Sequence, residues 1–362
     1  MAFTPDEIAN INNSTLETFL DRGKVWKQDL ANKPMLEAFQ DAAGSFVGGK
    51  ENVSFAVSSG YGGGSLQGYT GDDQLAHYNP VGTKRVRFPW KEHYIGMVVT
   101  MTELKTDGID VIENGTDQRT REMSGREMQA LANLFDEKNE KLMADYNFSL
   151  DRLVHGDGST DTKALAGIRA LILDVPTTGS TGGLNRVSNT WWRNRAATAA
   201  FGTAGGQGAI TVNTANGGSL ISFMDKEARL RNKFKTGSTK VRYFCGSDFI
   251  EGYKLELRAN GNYTLNGWGS GRGTPDGSMN DPMHDGVPLI WDPTLDDLGL
   301  SKRCYAIDFG RAGVRLLYMD GQRLKKHNPA RPYDRMVMYN GMSMTGVMVA
   351  KQLNTSGVYD IV

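Results

Sequence analysis

The chain has 362 residues, 39% hydrophobic and 23% charged, with a mean hydropathy of −0.43. That is enough for two domains with buried cores, and it does not suggest a membrane span. Lys plus Arg total 41 and Asp plus Glu total 41, and this formal charge of zero argues against a chain whose main task is gripping nucleic acid. No apolar run approaches the ~20 residues of a span, and residues 1–7 lack the pattern of a signal peptide. Cys245 and Cys304 are too few for a disulfide framework or a Cys-rich zinc site. Together these features predict a protein of a cytoplasm-like compartment with two small buried cysteines.

Residues 1 to about 50 read as an arm with one or two short helices. Thr4-Pro5-Asp6-Glu7 is a helix start, while Trp26, Leu30, Met35, Leu36 and Phe39 provide apolar points without one continuous face. From Asn52 to Val111 the pattern turns to period two, first through Val53, Phe55 and Val57. It resumes at Val86 and Phe88, then at Ile95, Val98, Val99 and Met101. Between these strands lies a polar, Gly-rich excursion from Gly60 to Pro80, followed by Lys84, Arg85 and Arg87. The pattern predicts a long two-stranded ribbon projecting from the body, which needs a surface to lie on because an isolated ribbon is marginal in water.

Arg126 to His155 then runs with no Gly or Pro. Met128, Leu131, Phe135, Leu142, Tyr146, Leu150 and Leu153 recur at three, four or seven, which puts them on one stripe of a helix about 45 Å long. Ser124 is placed to cap its start and Gly156 to end it. The stripe weakens at Lys138 and Asn139, so sustained coiled-coil heptads are absent and the helix reads as a spine for its own chain.

Beyond the spine come a short apolar segment at 165–172, turns to Arg186, the run Asn189-Thr190-Trp191-Trp192-Arg193-Asn194 and a loop-rich region to about Gly218. Leu220, Phe223, Leu230 and Phe234 predict a helix ending at Gly237, whose Lys226, Arg229, Arg231, Lys233 and Lys235 read as a solvated basic face. Lys240 to Cys245 is a strand, Asp248 caps a short helix, and Pro288 to Trp291 is a short buried strand after a Gly-rich segment. From Arg311 onward strands return, through Val314, Leu316 and Tyr318, then Met336 and Met338, then Val347 and Val349, as natural partners of the spine. Helix and strand are interspersed, and the fold class is α+β.

No catalytic constellation emerges. The Gly-rich stretches at 179–183 and 267–273 lack Walker spacing, the Gly-x-Ser-x-Gly elbow does not occur, and the five histidines form no zinc-type cluster. His155 reads as a helix C-terminal cap, Asp296-Asp297 as a solvated turn, and Trp191-Trp192 as ring neighbours facing opposite ways if on a strand. No enzyme activity, cofactor or metal is expected. Glycine, at 44 of 362 against a usual ~7%, gathers in long loops that a large assembly would tie down.

Gly167-Ile168-Arg169-Ala170-Leu171-Ile172, Gly182-Gly183-Leu184-Asn185-Arg186 and the Trp191-Trp192 run resemble the text that follows the long helix in tailed-bacteriophage major capsid proteins. The order of elements also resembles their HK97-type fold. The resemblance implies an N-terminal arm (1–51), an extended β-hairpin loop (52–111), a peripheral domain with the spine helix (112–175), an axial domain (176–310) and peripheral return strands (311–362). It further implies self-assembly as hexamers and pentamers into an icosahedral shell in the virion, built in the host cytoplasm around double-stranded DNA touched only weakly. Portal, scaffold and decoration proteins would be the other partners, with no membrane. An encapsulin-like nanocompartment shell is the alternative on the same fold.

In a thin shell, overlapping arms and hairpins spread burial over many contacts. Lys84, Arg85, Arg87, Trp90 and Lys91 on the hairpin's return strand are suited to grip a neighbour through Arg–carboxylate pairs and an aromatic anchor. Arg193, Arg323 and Lys325 are further subunit-contact candidates. Some members of this class crosslink a hairpin lysine to a neighbour's asparagine; Lys84 and Lys91 are available, yet no motif marks the asparagine, and no crosslink is expected. Removal of a large N-terminal propeptide is not expected either.

Overall fold

A computed structural model describes residues 32–47, 51–60, 64–79, 82–100, 102, 106, 125–213, 219–259, 282–327 and 337–362, with backbone alone at 125–137 and at 338. The expected arm up to residue 31, the cap at Ser124, and the glycines at 261–281 lie outside the described residues.

Pro34–Asp41 is a helix because Pro34 sits at its first turn and Met35, Leu36, Ala38 and Phe39 fall on one buried face. It leads into strand β1 (Gly44–Phe46), so this part of the segment expected as an arm belongs to the body. Strands β2 (Asn52–Ser58) and β3 (Thr83–Pro89) pair antiparallel in full register from Asn52 opposite Pro89 to Ser58 opposite Thr83. Strand β4 (Lys91–Thr100) does not continue that ribbon. Pro89 lacks the N–H that would extend the ladder, and the chain turns at Trp90 into a different sheet.

The spine helix runs Gly125–His155, and its end is where the sequence put it. Leu142, Leu150 and Val154 are buried and Tyr146 is half-buried. Gly156 follows, donating its N–H to the Leu153 carbonyl. The short helix Ile168–Leu171 abuts this terminus, and Gly167 makes the approach possible: a Cβ there would lie 2.3, 2.4 and 2.5 Å from the carbonyl oxygens of Leu153, Val154 and Gly156. Only glycine fits.

The return strands are β12 (Val314–Met319), β13 (Lys325–His327) and β14 (Val337–Ala350). The two strands expected around Met336 to Val349 are one strand of 14 residues. One edge of β14 pairs with β4; the other pairs with β13 and then β12, whose far side takes β1 in parallel. Tyr146 of the spine donates its hydroxyl to the Met344 sulfur at 3.1 Å, tying helix to sheet.

The second sheet has six strands in the order β7 (Arg195–Ala197), β15 (Gly357–Asp360), β11 (Arg303–Asp308), β8 (Val241–Cys245), β10 (Val287–Trp291) and β9 (Met283–His284). The last strand of the chain, β15, therefore joins this sheet and not the return strands. Every residue of β11 is buried, yet its side chains serve two cores. Tyr305 and Ile307 pack with Phe244 and Val358 towards the spine helix and first sheet. Cys304 and Ala306 pack with Tyr243, Cys245, Tyr359 and the helices Ser219–Asn232 and Ser247–Ala259. A period of two with apolar residues in both phases makes the sheet a wall between two cores.

Three charged positions depart from their sequence reading. Arg231, expected on a solvated face, is 3% exposed and donates to the Tyr243 hydroxyl at 2.6 Å. The 13-residue helix Ser247–Ala259 takes its cap from Asp296, which accepts from the Ser247 N–H at 2.9 Å and from the Trp291 indole at 2.7 Å. Asp248 instead accepts from the Ser301 hydroxyl. Among the described residues no helix is long and apolar enough to cross a membrane.

Candidate subunit-contact surface

Residues 179–194 form a knot on which the hairpin stands. Strands β5 (Ser180–Thr181) and β6 (Leu184–Asn185) are joined by Gly182 and Gly183 with φ +60° and +80°, the two-residue hairpin geometry that two successive positive φ values demand. Beneath it Arg186 is fully buried. Its Nε donates to Thr181 Oγ1 at 3.0 Å, Nη1 to Asn194 Oδ1 at 2.5 Å, and Nη2 to the Leu171 carbonyl at 2.6 Å. Burial, with Arg193 nearby, pulls its guanidinium down to about 10. Trp192, 2% exposed, donates its indole N–H to the Thr181 carbonyl, and Trp191 meets its ring edge-on at 5.9 Å. The pair lies in a turn, not on a strand.

The hairpin is seated on this knot. The Arg87 N–H donates to the Gly182 carbonyl at 2.9 Å, Val86 and Phe88 cover Gly182, and Lys84 Nζ donates to Asn189 Oδ1 at 2.7 Å. Val53, Val57, Val86 and Phe88 are buried on the hairpin's inner face, and Lys351 lies over the Phe55 ring at 4.5 Å. The ribbon thus has its surface within its own chain. Its outer face carries Arg85 and Arg87, both exposed.

Beyond the strands the hairpin reaches residues 64–79, every one exposed. The loop braces itself: Gln67 and Ala76 exchange side-chain and backbone hydrogen bonds, while Thr70 and Asp73 close a turn at 2.7 and 2.8 Å. This bracing fixes the backbone while four apolar side chains stand in solvent: Leu66 at 105% exposure, Tyr69 at 69%, Tyr78 at 59% and Leu75 at 48%. Among the described residues none covers this set, which makes it a candidate contact surface. Glycine and polar neighbours dominate this window and mask the four in the sequence, where the signal is the count of apolar residues within it.

The other sequence candidates are dispersed. Trp90 is half-buried, its ring 6.2 Å from Phe46. Lys91 donates to the Thr162 carbonyl. Arg193 spends its guanidinium on the Arg186 and Val187 carbonyls of its own loop. Arg323 stacks over Tyr318 at 5.4 Å, and Lys325 is exposed on β13. Of the eight candidates, Lys84, Arg85 and Arg87 share β3 with Trp90 and Lys91 close behind; Arg193, Arg323 and Lys325 do not join them.

A titratable group of catalytic appearance lies elsewhere and is sealed. His155 Nε2 is 3.0 Å from Asp292 Oδ2, His155 Nδ1 is 2.9 Å from the Asp151 carbonyl, and Thr294 Oγ1 donates to Asp151 Oδ2 at 2.6 Å. All four residues are at most 3% exposed, so the cluster ties the spine helix to the short helix Pro293–Asp297 and its cap Asp292 and is closed to solvent. His155 is therefore more than the helix cap the sequence suggested.

No protein-family model matches the chain, and no curated protein does. Solved structures do. The capsid asymmetric unit of cyanophage A-1(L) superposes with a TM-score of 0.57 at 16% identity, covering 93% of this chain and 95% of that one. The capsid of cyanophage P-SCSP1u gives 0.55 at 11% identity over 100% and 99% of the two chains. The mature capsid of bacteriophage PhiM1 gives 0.53 at 9% identity over 94% and 90%. Identities this low make the likeness one of fold, and it runs nearly end to end.

Proposed function

We propose that this chain, which has the HK97-type fold of phage capsid subunits, is a tailed-phage major capsid protein. On this reading it self-assembles as hexamers and pentamers into the icosahedral shell that encloses double-stranded DNA in the virion, after assembly in the host cytoplasm. Portal, scaffold and decoration proteins are its further partners, and its role is structural, not enzymatic. The observation that carries the reading is the hairpin: a base locked to the body by the Arg186 knot and a tip whose apolar side chains, Leu66 foremost, stand exposed with no cover among the described residues. A shell subunit needs that division, because a rigid base sets the angle at which the tip meets its neighbour. Near-zero net charge fits as well, limiting repulsion among many copies.

Negative-stain microscopy and sizing chromatography of the chain, expressed alone and with its neighbouring genes, test the proposal. Closed shells or rings of five and six subunits are the expected result; a monodisperse monomer or dimer under every condition refutes it. Lys84 and Lys91 are each held by acceptors of their own chain, so purified shells are expected to run in denaturing gels as a single band near 39.7 kDa. A ladder would mean that one of these lysines is released for a crosslink.

A further inference from the structure

His284 closes β9, and the turn to β10 is made by Asp285 and Gly286 with φ +50° and +78°. Asp285 is the one non-glycine residue of positive φ among the described residues. A left-handed aspartate is tolerated but not favoured, and here the conformation puts its carboxylate beside the histidine ring. Asp285 Oδ2 is 3.9 Å from His284 Nε2, and Asp225 Oδ1, from the helix Ser219–Asn232, is 3.6 Å from the same nitrogen. The three ligand atoms lie within 4.8 Å of one another.

The histidine is 3% exposed, and its Nε2 makes no well-formed hydrogen bond, although the Met224 backbone acts on the ring. Its other nitrogen is engaged, Nδ1 lying 3.1 Å from the Tyr253 hydroxyl. Tyr243 and Tyr253 set their rings edge-on to the imidazole at 6.0 and 6.1 Å, fixing its plane. A buried ring nitrogen without a well-formed hydrogen bond is unfavourable, and two carboxylates at 3.6 and 3.9 Å do not satisfy it. One held nitrogen, one open nitrogen and two acidic oxygens is the arrangement of a metal-binding histidine with its outer partner.

We infer that Asp225, His284 and Asp285 form a divalent-cation site, taking a zinc-like first-row ion. The imidazole favours such an ion over magnesium or calcium, which prefer all-oxygen ligands. Ligand atoms on a tetrahedral ion at ~2.0–2.1 Å sit about 3.4 Å apart, so the observed spacings need only small rotations of the aspartates. Those side chains are 48% and 60% exposed and free to make them. Their charge of −2 balances the ion. Arg231, the neighbouring cation, donates to the Tyr243 hydroxyl, and its charge acts on the imidazole against the two aspartates. Three protein ligands leave a position for water, reached from solvent on the aspartate side. The ion would pin the β9–β10 turn to the helix bearing Asp225, clamping one edge of the six-stranded wall.

The test uses the full-length chain, assembled or not, stripped with chelator and titrated with Co²⁺ while its visible d–d absorption is followed. One Co²⁺ per chain is expected, displaced by Zn²⁺ and not by excess Mg²⁺. Asp225→Asn and Asp285→Asn, both at exposed positions that leave the core intact, should each weaken binding at least tenfold, and His284→Gln should abolish it. No saturable binding by the parent chain, or undiminished binding in both Asn variants (an adventitious ion only), overturns the site. Failure of the shell to form leaves this readout intact, since binding is measured on the subunit itself.

Discussion

Arg186 donates to a hydroxyl, a side-chain amide and a backbone carbonyl, and no carboxylate is among these partners. Its fork is what serves three acceptors at once, a geometry that a lysine ammonium at the end of a flexible stem lacks. Arg186→Ala strands those acceptors and is expected to cost ~3 kcal/mol or more at ~1–3 kcal/mol per unsatisfied buried group. Arg186→Lys should recover only part of the loss. Thermal unfolding checks both, and a lysine variant melting with the parent would show that the knot does not depend on the guanidinium.

His155 supplies a second residue-scale expectation. Burial lowers its pKa, but the hydrogen bond and charge of Asp292, with the charge of Asp151, outweigh this and hold it raised. Asp151 is raised too, by burial first, against the pull of His155 and Thr294. A raised folded pKa means that the protonated form is favoured by folding. His155's contribution is therefore full below its ordinary value of 6.5 and is lost as pH rises through the folded value, and Asp151 acts with the same sign from 3.8 upward. The melting temperature should fall as pH rises above about 6.5, and more gently in His155→Gln. Parallel slopes would dismiss His155 as the cause.

At the scale of elements, the hairpin divides into a seated base and an uncovered tip, and the two should respond oppositely to substitution. Replacing Leu66, Tyr69, Leu75 and Tyr78 together by serine removes surface that touches no core, so subunit stability should move by no more than about 0.5 kcal/mol per site. Assembly should suffer instead, with the concentration needed to form shells rising at least tenfold if even one tip residue is a binding anchor worth ~2 kcal/mol. Light scattering on assembly against calorimetry of the subunit separates these, and unchanged assembly would remove the tip from the contact surface.

The same element shows what sequence can and cannot announce. Alternation at Val53 to Val57 and at Val86 to Phe88 announced both strands and their inner face. The alternation of strand β4 looks like part of the ribbon because apolar alternation carries no label for its partner, and that partner, β14, begins more than two hundred residues later. The spine helix was legible to its last residue because its signal is local. His155 and Asp292 lie 137 positions apart, and Arg186, Arg231 and His284 are buried by long-range packing; a charged residue read in isolation defaults to the surface. The cation cluster joins residues 225, 284 and 285 through the packing of a turn on a helix, so no spacing motif betrays it.

At the scale of the molecule, the six-stranded wall couples the two cores. Tyr305 and Cys304 are adjacent on one strand and serve opposite sides, so neither core can open without disordering backbone that the other requires. The unassembled subunit should accordingly unfold the six-stranded sheet, its two flanking helices and the spine helix in one calorimetric transition. Two resolved transitions would mean that the cores melt separately and that the wall is only a partition.

The wall also bears on how such a chain can drift in sequence. Along β11, immediate neighbours answer to different company: Cys304 and Ala306 to the two helices, Tyr305 and Ile307 to the spine side. A change at one position is felt by residues two places away and across the ladder, at Cys245 and Tyr359 for Cys304, before it is felt next door. Descendants of this sequence would then carry two interleaved histories in a single six-residue strand, each compensated on its own side of the sheet. Cores kept on separate ledgers in this way can be remodelled one at a time, leaving the opposite face of the wall as it was.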